Sequence, residues 1–273
     1  MLARTQSRVW LFAERRGPCV NWSDDLNACA AIVERGDPLR FRTAMLAPVA
    51  KRGALFALYA FNVEVSRAPW VTSEAMIAEM RLQWWRDVLE EIAAGSTVRR
   101  HEVATPLAAA ITPDQAKMLD ALVAARRWDI YRDAFENEVH LKRYIDQTAG
   151  HLMWVAANLL GQAAETPVRR AGFAAGVGAW LRAIPALEAA NRVPLLDGTP
   201  AGVVALAQQG KDALIQARKD PSQIPRSCAP ALLLATAAEP ALRAAIKQPQ
   251  AVVEGALPEV GVGFTLRAAT GRW

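Results

Sequence analysis

Asp129 and Asp133, in "WDIYRDAFENE", form the one D-x-x-x-D of the chain. On a helix that spacing puts two carboxylates on one face, a turn apart. Paired carboxylates are the donors that a hard cation such as Mg²⁺ prefers. Here they lie beside an expected loop, so a solvated pair competes with a ligand pair. Other chemical signatures are missing: there is no G-x-G-x-x-G, P-loop, H-E-x-x-H or G-x-S-x-G. His101 falls in an expected loop. His140 and His151, eleven apart, share one expected helix and roughly one face. Each of the three reads as a structural, partly buried histidine rather than a base or ligand. Cys19, Cys29 and Cys228 are far apart and make no zinc-ligand spacing, which fits a reducing compartment.

The elements that must position these residues are helices. Alanine and leucine are abundant and β-branched runs are scarce. Ser23 can cap a helix starting at Asp24 and ending at Gly36, and Pro38 and Pro48 bracket the next one. Val49, Leu55, Leu58, Tyr59 and Phe61 recur at helical spacing up to Val65. Ser73 is the expected cap of the strongest helix, in which Ile77, Met80, Trp84, Val88 and Ile92 form the expected buried stripe. Thr112 with Pro113 opens another helix, and Gly161 closes a long one that begins near Asn137. The following helix has an interior Pro185, where a kink is expected. Its Gly172, Gly176 and Gly178 read equally as close packing or as room for a ligand chain.

The chain has 273 residues, of which 52% are apolar, so it can bury a large core. The spacing predicts one all-α domain of about ten helices, long enough for a bundle with a central cavity. No strand alternation, fixed-period repeat or linker is visible. The net charge is +5. It fits base composition or an anionic partner, and without basic blocks interleaved with aromatics it argues against nucleic acid. No apolar run approaches the roughly 20 residues of a membrane span, so the expectation is a soluble or at most peripheral protein. Residues 1–22 carry four arginines before Gly17 and one acid, with no apolar core. They are set apart as a poorly ordered or presequence-like tail, leaving 23–273 as the folded domain.

Four blocks carry a resemblance: "DPLRFRTAMLAPVAKRGALFALYAF", "SEAMIAEMRLQWWRDVLEEIAAG", "YIDQTAGHLMWVAANLLG" and "AGVGAWLRAIP". In order and spacing, from about residue 24 to about 200, they resemble the squalene/phytoene synthase family. The resemblance implies the isoprenoid synthase fold, a single helical domain around a large cavity. Active members condense two prenyl diphosphates. The departing diphosphate must be neutralised as an allylic cation forms, and Mg²⁺ held by two facing carboxylate clusters does this.

Both clusters are altered here. The first, a D-x-x-x-D after the Y-A-F segment, falls on Ser66 and Trp70. The second, a D-x-x-E-D after an L-R pair, falls on Ala183, Ala186 and Leu187. Glu64 and Glu188 are nearby but supply no i, i+4 pair. No Mg²⁺ is therefore expected unless the chain is an active prenyltransferase with unusual ligands. Arg40, Arg52, Tyr59 and Arg182 stand at positions that resemble the family's diphosphate or cavity contacts.

"AFNVEVS", "RLQWWRDVLEEI" and "LRAIP" are most similar to a divergent branch of this family. That branch includes a mitochondrial assembly factor of respiratory complex I and bacterial relatives. This implies a catalytically silent protein, with complex I subunits or assembly intermediates as partners. Its implied position is cytoplasmic or on the matrix side, at most peripheral to the inner membrane. A prenyl lipid is a further candidate ligand. Glu64, Arg81 and Trp85 are then candidates for a cavity or partner surface.

Overall fold

A computed structural model describes residues 22–258, 260–270 and 272–273. Among them are thirteen α-helices and no strand. The first half holds α1 (Asp24–Gly36), α2 (Pro38–Met45), α3 (Val49–Arg67), α4 (Ala75–Ala93), α5 (Ala104–Ala110) and α6 (Pro113–Ala125). The second holds α7 (Glu138–Ile145), α8 (His151–Leu160), α9 (Glu165–Ala189) and α10 (Pro200–Ala217). Then come α11 (Ala229–Lys247) and two short elements, α12 (Gln250–Val253) and α13 (Val262–Thr270). The presequence-like tail lies outside the described residues except for Trp22, whose ring packs 5.6 Å from Phe56.

The helix starts follow local chemistry. The Ser23 hydroxyl accepts from the Leu26 amide at 3.3 Å, beside Asp24 and Asp25 in the first turn of α1. Thr112 and Gln115 form a reciprocal capping box, with Pro113 at the first position of α6. Helix α4 departs from expectation: Ser73 does not cap it. Thr72 accepts from the Glu74 amide instead, and the helix begins at Ala75 with no side-chain cap.

Helix α3 is the axis of the fold. All residues from Leu55 to Val63 are buried, so the helix is enclosed on every side. Helix α4 lies across α6 and buries a stripe other than the expected one. Ala78, Leu82, Trp85, Val88, Leu89 and Ile92 face inward, while Met80 is 66% exposed and Ile77 also faces outward. Val88 and Ile92 belong to both stripes, and the rest of the helix is rotated by one residue between them. Trp85 is consequently core rather than surface: its ring stands edge-on to Phe61 at 5.2 Å and to Trp84 at 4.8 Å. Trp84 is the half-buried member of the pair.

Helices α7 and α8 form one continuous run through a five-residue π-type segment, Asp146–Gly150. Widened turns of this kind disturb the local register and are often found at functional sites. Helix α9 packs onto that segment, α10 and α11, and its glycines explain how. A Cβ on Gly172 would meet Gly150 Cα at 2.7 Å, one on Gly176 would meet Ala149 Cβ at 2.7 Å, and one on Gly178 would meet Ala238 Cβ at 2.7 Å. All three serve close helix approach. Pro185 lies within α9, which runs unbroken to Ala189.

Against the expectation of no apolar span, Arg226–Lys247 is long and apolar enough to cross a membrane by length and composition. Its most apolar stretch is 67% buried inside the fold, where it serves as a core helix. Cys29 and Cys228 are buried free thiols, and burial pushes Cys29 up to about 12.

Gly172→Ala tests the α9 contact. Alanine favours a helix over glycine by about 1 kcal/mol, but the clash is with backbone atoms, where overpacking costs about 1–3 kcal/mol. Urea denaturation is expected to show a net loss of stability of about 1–2 kcal/mol.

Candidate functional site

A cavity of about 510 Å³ opens between α2, α3, the turn after α6, the α7–α8 run, α9 and α11. Helix α3 presents Tyr59, Asn62 and Ser66, and Trp70 extends the same face beyond the helix end. The spacing of three, four and four is one helical face. Across from it α9 presents Ala175, Ala179, Ala183 and Leu187 at a constant spacing of four. One wall is thus mixed polar and aromatic, and this stripe of the other is small and apolar.

Besides Arg182 on α9, charge sits at two places on the wall. At the start of α2, Asp37 caps the helix by accepting from the Arg40 amide at 2.9 Å and also pairs with the Arg40 guanidinium. That guanidinium lies 5.8 Å from the centre of the Tyr59 ring. Burial pushes the Tyr59 phenol up to about 12, so it is protonated at neutral pH. Thr43 is beside it, but the Thr43 hydroxyl donates to the Arg40 carbonyl at 2.9 Å and the phenol itself makes no hydrogen bond.

The second place is a buried triad. Arg126 donates to Asp129 at 3.0 Å and to the Tyr144 hydroxyl at 2.8 Å. Tyr144 in turn donates to Asp129 at 2.8 Å. Burial alone would depress Arg126, yet the Tyr144 and Asp129 contacts outweigh it and hold the guanidinium charged. Burial first, then Asp129, raises Tyr144 far above the ordinary phenol range. Arg192 donates to the carbonyls of Asp129 and Tyr131, and its guanidinium lies 5.2 Å over the Trp70 ring at the rim.

The structure sorts the residues singled out from sequence. Arg40, Tyr59, Arg182, Ser66, Trp70, Ala183 and Leu187 all line the cavity. Ala186 is exposed and outside the lining. Arg52 is also outside it, donating through Nε to the Ala47 carbonyl at 3.0 Å. Glu64 is half-buried and Arg81 is exposed on α4, and neither reaches the cavity. The Asp129–Asp133 pair does not form: a 3-10 turn ends at Asp129, which is buried in the triad, while Asp133 is exposed. The three histidines lie off the cavity, and His151 is bonded through Nδ1 to the Met118 carbonyl at 3.0 Å.

Asn62 was not singled out from sequence, and its place on the Tyr59–Ser66 face is the signal that would have found it. Arg126 and Tyr144 were not legible, because their contact crosses 18 residues and a helix break.

The lining does not suit Mg²⁺. Its acids are Asp37 and Asp129, one engaged by Arg40 and the other by Arg126 and Tyr144. Ser66 donates its proton to the Val63 carbonyl at 3.1 Å. Among the described residues, no group of three His, Cys, Asp or Glu side chains is placed to hold a metal.

Comparison with known proteins gives a consistent setting. The sequence model for squalene/phytoene synthase matches residues 33–269. Two solved structures are similar in fold. One is a dehydrosqualene synthase in complex with ligand, with TM-score 0.69 and 18% identity over 82% of this chain and 87% of that one. The other is squalene synthase HpnC from Alicyclobacillus acidocaldarius, with TM-score 0.69 and 16% identity over 86% and 95%.

Among curated proteins, the chain is similar to NADH dehydrogenase (ubiquinone) complex I, assembly factor 6 from Homo sapiens. It is 28% identical over 169 residues, covering 60% of this chain and 50% of that protein. The Drosophila melanogaster homolog is 30% identical over 202 residues, covering 70% and 59%. The chain spans about half to three-fifths of the length of these relatives.

Two outcomes follow from the buried groups. Arg126→Met leaves Asp129 as an uncompensated buried charge and is expected to cost about 3–5 kcal/mol in urea denaturation. Adding Asp129→Leu should restore much of that loss. Burial lowers His151 below its ordinary 6.5, so the unfolded chain takes up the proton first. Its contribution to stability is complete above about 6.5 and is lost as pH falls through the folded value. The slope of stability against pH below 6.5 should flatten in His151→Gln.

Proposed function

The chain belongs to the squalene/phytoene synthase family, and from that membership we propose that it is a catalytically silent member that assists assembly of respiratory complex I. The observation that carries the silence is the cavity wall. Ser66, Trp70, Ala183 and Leu187 face it where the family resemblance expects carboxylates, and both lining acids are already engaged. A prenyl diphosphate could enter such a space, but nothing there would hold the cations its departure requires. No Mg²⁺ or other cofactor is part of this reading.

The similarity to proteins named as complex I assembly factors supports the biological role. Partners would be complex I subunits or assembly intermediates, met on the cytoplasmic or matrix side of the inner membrane by a protein at most peripheral to it. A second reading is favoured by the cavity itself: it remains open at about 510 Å³, so the protein holds a lipid there without transforming it.

Two measurements test the proposal. Purified protein given farnesyl diphosphate and Mg²⁺ is expected to form no condensed product, and robust turnover would overturn the silence. Deleting the gene should lower the level of assembled complex I and leave squalene and phytoene content unchanged. Normal complex I with altered isoprenoid content would reverse the assignment.

A further inference from the structure

The polar groups of the cavity divide into those already partnered and those left without a partner. Three cations line it, Arg40 paired with Asp37, Arg126 paired with Asp129, and Arg182. Arg182, the third, is half-buried and turns Nη1 toward the Pro258 carbonyl at 3.3 Å. An anionic head entering here would lie against Asp37 and Asp129 as well as against the arginines. Like-charge approach at short range in a poorly solvated site opposes its binding.

The partnerless groups are of another kind. The Tyr59 hydroxyl, on a residue 1% exposed, and Asn62 Oδ1, on a residue 5% exposed, make no hydrogen bond. They stand one turn apart on the cavity face of α3, with the unpaired Arg40 Nε at the same end of the wall. The phenol is protonated at neutral pH and can donate or accept, and a carboxamide can present oxygen or nitrogen. Buried groups of this sort are nearly always paired, so an unpaired couple on two residues that line a cavity points to a ligand. Leu39, Leu152, Met153 and the alanine stripe of α9 give the wall an apolar stretch that suits an apolar chain.

We propose that this cavity holds an uncharged, long apolar molecule with a single hydroxyl or carbonyl head, bound by Tyr59 and Asn62. This rests on the reading that the cavity holds a lipid and is independent of any role in complex I assembly. The ligand is distinguished from a phosphorylated lipid by Asp37, which neutralises Arg40 before any ligand arrives.

Isothermal titration calorimetry with 1-decanol and decyl phosphate, which share a chain and differ in the head, tests this. The wild-type protein is expected to bind decanol about tenfold more tightly than decyl phosphate, a difference of about 1.4 kcal/mol. Tyr59→Phe should weaken decanol about tenfold without lowering Tm, because it removes a buried hydroxyl that has no partner. Asp37→Asn keeps a good helix cap while releasing the Arg40 charge, and it should gain affinity for decyl phosphate. Preference of the wild type for decyl phosphate, or unchanged decanol binding in Tyr59→Phe, would overturn the neutral head alone. If neither compound binds, the lipid-holding reading falls with it, whatever the turnover and deletion experiments show.

Discussion

The approach of α9 to the Asp146–Gly150 segment is the contact on which the site depends. Glycine at 172 and 176 lets two helical backbones come closer than any side chain permits. The same contact fixes one edge of the cavity, since Gly176, Ile145 and Ala149 are all lining residues. A wider spacing would open the core at that edge, and a Cβ on either side has no room to move. Glycine within a helix costs about 1 kcal/mol relative to alanine. The fold accepts that cost because the π-type turn, α8 and α11 all pack against the same helix.

With the walls fixed, charge determines what the cavity can do. A site for a departing diphosphate needs anionic side chains free to bind metal and cations free to meet phosphate. Here the acids and two of the cations have been joined to one another. The Arg126–Asp129–Tyr144 triad is structural: its members satisfy each other and raise the cost of removing any one. Trp70 and Leu187 add apolar surface where charge would otherwise gather, and Arg192 covers the Trp70 ring at the rim.

Much of the helical order was legible because it rests on local chemistry. Ser23, Thr112 with Pro113, and Gly36 act within a turn of their own positions, and they mark the same helix ends in sequence and structure. The buried face of α4 was not legible. Apolar residues cover more than half of that helix, so two stripes sharing Val88 and Ile92 compete, and only the position of α6 chooses between them. Asp129 shows the opposite failure. Its spacing to Asp133 assumed a continuous helix, whereas the chain leaves the helix at Asp129 and carries that side chain into the core. The convergence of α3 and α9 on one cavity is tertiary and has no local signature. Ser66 and Ala183 could be set side by side only through family resemblance.

The cavity carries a thermodynamic burden. Each buried polar group left unpaired costs about 1–3 kcal/mol, and three such atoms belong to residues that line this space: Arg40 Nε, Tyr59 Oη and Asn62 Oδ1. Set against a typical total stability of about 5–15 kcal/mol, that is a large share. Replacing Tyr59 with phenylalanine and Asn62 with leucine would lift most of it in a protein with no use for the space. The polar pair is therefore better understood as a partner for a ligand than as a structural element of the core. Any molecule that satisfies these groups stabilises the folded chain by mass action as well as filling the cavity. Occupancy of the cavity and the folded state of the protein are thereby coupled.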